Sequence, residues 1–552
     1  MLRKAAFRND SQKYAHATAA NAASLDFIGG LADDIYPSES NQVDLPPPMK
    51  IHFGLVVLIM STILVAAAAD SPAPVEKSTP SNEAAKANRE GLVKAANGSW
   101  VTVEGKNALD AAAQAVAVET EKVARAAIAK TNPQHLPAFP GAEGFGALAT
   151  GGRGGEIVHV TNLRDSGPGS FREAVSRPNR IVVFDVGGII DLATEVPVSS
   201  NLTILGQTAP GEGICFYKNT VALDGVSNII VRYLRFRQGM PGARNLKAFG
   251  MTRKCNNIIV DHCSIEWGRW DDLGITVGSS TITVQNCIMA EGIHPQSFGA
   301  LIDMVTDITL SHNLWMSNES RNPKANGTVQ YINNVVYNWG HTGLCGGHEG
   351  IDRRLDIIGN YFIKGPSSND HFAGQFWATD HVYQEGNFVD LDRDGKLNGT
   401  RAAPEDFHRA DEVGYTLPTF INEPTLHPPI PVVADSAGQA YIKVAAAAGC
   451  SLHRDPVDLR LIGELTSLGL KGQTLPHTDA QGEALAGGLG KIDGGIPSVD
   501  NDHDGIPDAF EKAHGLDPQD PTDAAKLDAF GYMNIEVYAD SLVVPAPAMT
   551  TK

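Results

Sequence analysis

Short runs of apolar, mostly β-branched residues recur through the middle of the chain, each ending near Gly, Asn, Asp or Ser. They read NLTILGQ (201–207), NIIVRYLRF (228–236), NIIVDHCSI (257–265), TITVQNCIM (281–289), DITLSHNLW (307–315), TVQYINNVV (328–336), LDIIGNYFI (355–363) and HVYQEGNFV (381–389). Each is a strand candidate, because such residues fit a pleated, buried surface. Aligned on one column, they place Leu234, Cys263, Cys287, Asn313, Asn334, Asn360 and Asn387 at steps of 29, 24, 26, 21, 26 and 27. A period in the twenties with one strand-and-turn unit per repeat marks a solenoid. A leucine-rich horseshoe would need regularly spaced Leu and a helix in every repeat. The pattern therefore predicts an all-β parallel β-helix, with like residues stacked about 4.8 Å apart along the axis. Its four column asparagines would form a ladder of amide-to-amide hydrogen bonds. Cys263 and Cys287 share that column, so a disulfide and a pair of free buried thiols both suit them. No CxxC pair is present among the six cysteines, which argues against zinc.

A different pattern precedes the repeats. Met49-Lys50 is followed by IHFGLVVLIMSTILVAAAA (51–69), a positive residue, an apolar run and small residues, as in a secretory signal. The expectation is that translation starts at Met49, that residues 1–48 are a non-native extension and that 49–69 are removed on secretion to an extracellular or periplasmic space. A single membrane anchor is the alternative. Residues 70–136 read as a low-complexity tether with a helix over 107–130.

The formal charge of -19 argues against nucleic acid and lipid surfaces as partners. Its distribution is uneven. Residues 231–270 carry eight Lys or Arg against Asp261 and Glu266, a local excess suited to a polyanion. Residues 491–540 carry twelve acids against three lysines.

Within that tail DNDHDGIPDAFE (500–511) places Asp500, Asp502, Asp504, the Ile506 carbonyl, Asp508 and Glu511 at positions 1, 3, 5, 7, 9 and 12 of a calcium loop, with Gly505 at 6. One structural Ca2+ is expected there. The following stretch looks like a decayed partner loop, with Phe530 and Val537 at ligand positions. The expected division is β-helix over 137–470, linker over 471–495 and calcium-loop module over 496–545.

FPGAEGFG (139–146), GGRGGEIVHVTNLRDSGPGSFREAV (151–175), VVFDVGGIIDL (182–192), GQTAPGEGI (206–214), VDHCS (260–264), SRNPK (320–324) and AGCSLHRDPVDLRLIGEL (448–465) together resemble the pectate lyases of the first polysaccharide-lyase family, in its bacterial and fungal branch with a calcium-loop tail. The resemblance implies a right-handed parallel β-helix with a substrate groove along one sheet. It implies β-elimination on polygalacturonate: a base takes the C5 proton, the C4 oxygen departs, and the product carries a C4–C5 double bond.

By the same resemblance the base is the Arg of an R-x-P motif, here Arg321, with Lys324 as a neighbouring cation. A guanidinium is normally protonated, so it needs such company to act as a base. Asp271 and Asp272 fall where the family has an acidic pair for a catalytic calcium. Asp261 and His262 match its Asp-His element, facing the groove or supporting it. The stretch MPGARNLKAFG (240–250) has no acid where the family supplies another calcium aspartate, and GIHPQSFGALIDM (292–304) lacks a matching lysine. Arg244, Lys247 and Arg269 are the candidate substrate-binding cations, Arg244 or Lys247 taking over neutralisation from an absent ion. The leading expectation is a monomeric, calcium-assisted pectate lyase. A lyase for methylated pectin or another uronate polymer, and a non-catalytic carbohydrate-binding β-helix, are the competing readings.

Overall fold

The computed structural model describes residues 136–543, apart from 348–352, 409–411, 477, 479 and 480, together with a short antiparallel strand pair, Leu92–Lys94 with Trp100–Thr102. The expected extension, the signal segment and the 107–130 helix lie outside the described residues. No helix among the described residues is long and apolar enough to cross a membrane.

The repeats wind into a parallel β-helix. Strands Glu156–Val160, Arg180–Phe184, Leu202–Leu205, Ser227–Arg232, Asn256–Asp261 and Ser280–Gln285 stack in register as one face. A second face runs through Val221–Asp224, Phe249–Thr252, Asp271–Thr276 and the first halves of Phe298–Ser311 and Lys324–Ile332. A third sheet has ten strands, parallel except for the last pair.

Each repeat after the first, which is a single strand at Leu202–Leu205, is in fact two strands on different faces. Ser227–Arg232 and Leu234–Arg237 are separated by Tyr233 alone, and the later coils bend likewise at His262, Asn286, His312, Asn333, Gly359 and Gly386, all with φ between 51° and 66°. One left-handed residue turns the chain through a corner, and Asn, His and Gly bear that conformation with least strain. The next residue points inward and carries the ladder. Asn313 Nδ2 donates to Asn334 Oδ1 at 3.0 Å, Asn334 Nδ2 to Asn360 Oδ1 at 3.1 Å, and Asn360 Nδ2 to Asn387 Oδ1 at 2.9 Å. Each of these donors also reaches a strand carbonyl, so the buried amides are saturated. Cys263 and Cys287 continue the column as free thiols, and all six cysteines are free and buried.

Two of the three faces are roofed. Alternation sends Val182 and Phe184 into the core and Ile181 and Val183 outward, where Ile506, Met533 and Ile535 of the tail cover them. Ala138, Phe139, Ala147 and Ala149 cover Ile230 and Ile259 on the same face. Helices Ala437–Ala447 and Pro456–Leu465, capped by Ser436 and Asp455, lay Val444, Val457, Leu461 and Leu465 on Ile288, Leu314, Val335 and Tyr361 of the third sheet. By contrast the second face keeps Gly250, Thr252, Leu301 and Asp303 partly exposed.

Described parts of the expected 471–495 linker pack against the coils. Leu475 is buried in the helix layer, and Glu483 accepts from Tyr217 Oη at 2.8 Å and from Met240 N at 2.9 Å.

Candidate active site and calcium loop

On the second face one outward row runs Gly250, Gly274, Leu301, Lys324 from coil to coil. Arg321 lies just ahead of the strand bearing Lys324, with φ 62°. Its carbonyl accepts from Ala300 N at 2.7 Å, its Nη1 donates to Asp271 Oδ1 at 2.9 Å, and its Cζ lies 4.1 Å from the Phe298 ring centroid. The guanidinium is thus held from two sides, with its side chain 17 % exposed. It lines a cavity of about 350 Å³ together with Pro295, Gln296, Phe298, Glu319, His341 and Gln375. Lys324 Nζ lies 3.6 Å from Asp303 Oδ1, which also accepts from Asn326 Nδ2. Arg321 and Lys324 lie on the same face.

Lys247 reaches the same place from a neighbouring coil. Thr220 Oγ1 donates to its carbonyl at 2.6 Å, and its stem lies over Gly274, where a Cβ would stand 2.1 Å from both Cδ and Cε and 3.2 Å from Nζ. Arg244 is exposed on the loop before it.

Arg269 is a correction. Its guanidinium donates to the carbonyls of His294, Met240 and Gly242 at 3.1, 2.9 and 2.7 Å, so it pins the 240–242 loop from within and does not face substrate. The wider 231–270 basic cluster is corrected with it. Arg232 pairs with Asp261 and Asp540, and Arg237 with Glu266, Asp455 and Asp458, all buried. Arg235 lies fully buried beside the same two aspartates. These arginines cross-link the coils to the third-sheet helices and the tail. Asp261, with His262 Nδ1 at 2.8 Å, belongs to that support and not to the groove.

The Asp271–Asp272 pair does not fit a catalytic calcium. Asp271 Oδ1 accepts from Arg321 and Asp272 Oδ1 from Gly268 N at 2.8 Å; both residues are fully buried, and the Oδ2 atom of each has no hydrogen-bond donor. Burial pushes the Asp272 carboxyl well above the usual range and holds Asp271 above it too, against Arg321 and Lys247. Among the described residues, groups of three or more ligating atoms converge only in the tail.

There the donor set fits a hard cation. Asp500, Asp502 and Asp504 form one such group, and Asp504, Glu511 and Asp523 an adjoining one. Both oxygens of Asp502 and of Glu511, and Asp523 Oδ1, are buried without a hydrogen-bond donor, an arrangement costly without a cation. Burial and then the neighbouring acids push Glu511 up to about 7 and Asp504 to about 6. Asp508 is a correction: its carboxylate accepts from Asn501 N at 3.0 Å and from Lys512 at 3.1 Å, outside both groups. Asp523 takes part from beyond the twelve-residue frame, so no spacing rule within that frame could reveal it. The Ile506 side chain is fully buried in the roof. The acidic spacing DLDRDGKLN (390–398) lines a cavity of about 640 Å³, but Asp394 is paired with Lys396 and its carboxylates form no such group.

No family model matches the chain. It is 42 % identical over 410 residues to "Probable pectate lyase C" of Neosartorya fischeri, covering 74 % of this chain and 94 % of the relative. The same figures hold for the protein of that name from Aspergillus flavus. A solved pectate lyase from Bacillus sp. N165 in complex with trigalacturonate is similar at 18 % identity and a TM-score of 0.37, over 56 % of this chain and 98 % of that one. The extent and identity of the match to the fungal proteins establish that this chain belongs to the pectate lyase family of polysaccharide lyases.

Proposed function

We propose that the protein is a secreted enzyme that cleaves polygalacturonate by β-elimination, with Arg321 as the base. The observation that carries this is the placement of Arg321: on the face whose strands are partly exposed among the described residues, steadied by Asp271 and Phe298, and lining a cavity wide enough for a sugar ring. Elimination asks little else of the protein. A galacturonate ring lying along the outward row would bring its C5 hydrogen to the guanidinium, while Lys324 and Lys247 supply positive charge beside the substrate carboxylate. Masking that carboxylate acidifies the C5 proton, and departure of the C4 oxygen leaves the double bond. Arg244, at the rim, is placed to attract the polymer.

Calcium belongs to the tail in this reading. Asp500, Asp502, Asp504, Glu511 and Asp523 would hold one ion, whose contribution is to neutralise the crowded acids and stabilise the roof. The test is to incubate the purified chain with polygalacturonate and with methylated pectin and to follow ultraviolet absorbance of unsaturated ends. Product from polygalacturonate, lost in Arg321→Ala, is expected. Oligogalacturonate binding without any turnover would instead mark a carbohydrate-binding β-helix.

A further inference from the structure

We infer that Lys247 is the fixed cation that binds and masks the substrate carboxylate beside Arg321, so that the groove works without a metal ion of its own. This deepens the function proposed above and rests on it.

The place where a metal would act holds no converging set of acids among the described residues. Of the two carboxylates there, one gives an oxygen to Arg321 and the other to a backbone amide, which leaves two oxygens without a donor, well short of the roughly six to eight that calcium takes. What the coil supplies instead is an ammonium on a built track. The backbone of Lys247 is anchored by Thr220, and Ala248 and Phe249 beside it are buried. From that anchor the four-carbon stem crosses to the next coil over Gly274, a position that any larger residue would obstruct. Gly274 pairs in register with Leu301, and Leu301 with Lys324. Gly274, under the Lys247 stem, and Lys324 thus stand on one row of the sheet, their backbones two strand spacings apart, about 10 Å. Arg321 adds a third cation, tied to Asp271.

Arg321 is paired with Asp271 and Lys324 lies near Asp303, whereas the Lys247 ammonium is carried to this row as a charge suited to a uronate carboxylate. An ammonium offers three donors and a full charge, enough to hold a carboxylate through charge-assisted hydrogen bonds. Its stem lies along the sheet surface, so the head needs no long excursion to reach substrate.

The experiment measures trigalacturonate binding by calorimetry to the full-length Arg321→Lys chain, expected not to turn substrate over and keeping a cation beside Asp271, in chelator and in millimolar calcium. Asp502→Asn is added to silence the tail loop. Affinity is expected to agree within about twofold between the two buffers, to fall by about 10- to 100-fold in Lys247→Ala, and to be largely kept in Lys247→Arg. Binding that appears only with calcium, or a Lys247→Ala chain that binds as well as its parent, overturns the inference. Product assays with Arg321 intact separate the two levels of argument. Unsaturated product that strictly requires calcium in the Asp502→Asn chain defeats the role of Lys247 alone, whereas neither binding nor product in either buffer defeats the polygalacturonate reading with it.

Discussion

Gly274→Ala isolates the geometry of the groove from its composition. The added methyl would stand 2.1 Å from Lys247 Cδ and Cε, so the stem must withdraw by more than 1 Å to reach ordinary contact. Nothing else in the fold objects. The obstructing atoms belong to a flexible side chain, and Gly274 lies in a strand outside the left-handed region. Removing a glycine from the unfolded chain gains roughly 0.4–1 kcal/mol, which offsets a side-chain distortion of about 0.5–1.5 kcal/mol. The thermal midpoint should therefore move by no more than about 2–4 °C. Function should move much more, because displacing a charged group by about 1 Å costs up to roughly 100-fold. The assay is the initial rate of unsaturated product below saturation, run beside thermal unfolding on the same preparation. Gly250→Ala is the internal control, since its methyl would meet Lys247 Cδ at 3.9 Å, an ordinary contact. A folded Gly274→Ala enzyme with kcat/KM within about twofold of the parent would refute the reasoning that Lys247 must lie on this track.

Other outcomes are expected elsewhere. Saturating calcium should raise the thermal midpoint, by an amount corresponding to about 2.7 kcal/mol at a hundredfold excess over Kd; Glu511→Gln and Asp523→Asn should abolish that shift and Asp508→Asn should not, and equal loss in all three would contradict the assigned ligand set. Asn334→Ala removes one rung of the ladder and leaves Asn313 and Asn360 each lacking a partner, a loss of about 2–4 kcal/mol readable by chemical denaturation; a change below about 0.5 kcal/mol would show the ladder to be incidental. Glu143 is held up to about 7 by burial, with Asp435 adding to it against Lys443. Its folded-state value exceeds its unfolded one, so the folded chain keeps this proton longer and stability falls as pH rises from about 4.5 through 7. Glu143→Gln should remove that slope, raising the midpoint relative to the parent at pH 8 by the equivalent of about 1–3 kcal/mol and little near pH 4; an equal difference at both values would show that titration is not the cause.

Stacking made much of the fold legible. A residue type that must bond to its own copy one coil away repeats at a fixed place, and the asparagine column was visible for that reason. Corners were not, since a single left-handed residue such as His262 or Asn333 interrupts a strand without interrupting its apolar pattern. Arg321 was legible through its motif, and Lys247 only as one cation among several. Arg232, Arg235 and Arg237 misled because charge along a segment does not say which face it occupies. Arg237 looked like part of a polyanion surface until the fold brought Asp455 and Asp458 to it from more than two hundred residues away. Asp523 was hidden in the same way, joining Asp504 and Glu511 from a neighbouring segment.

The tail's grip on the opening coils sets an order on biosynthesis. Arg153 pairs with Glu536 and Arg232 with Asp540, and Ile181 and Val183 wait for Ile506 and Ile535. A nascent chain can wind its coils as they emerge, but those two side chains stay wet until the segment bearing Ile506 and Ile535 has been made. During that interval the growing polypeptide presents a sticky flank to its neighbours, and a prematurely stopped one would present it permanently. Quality control for this protein therefore has a simple signature to detect, a finished solenoid without its fastening.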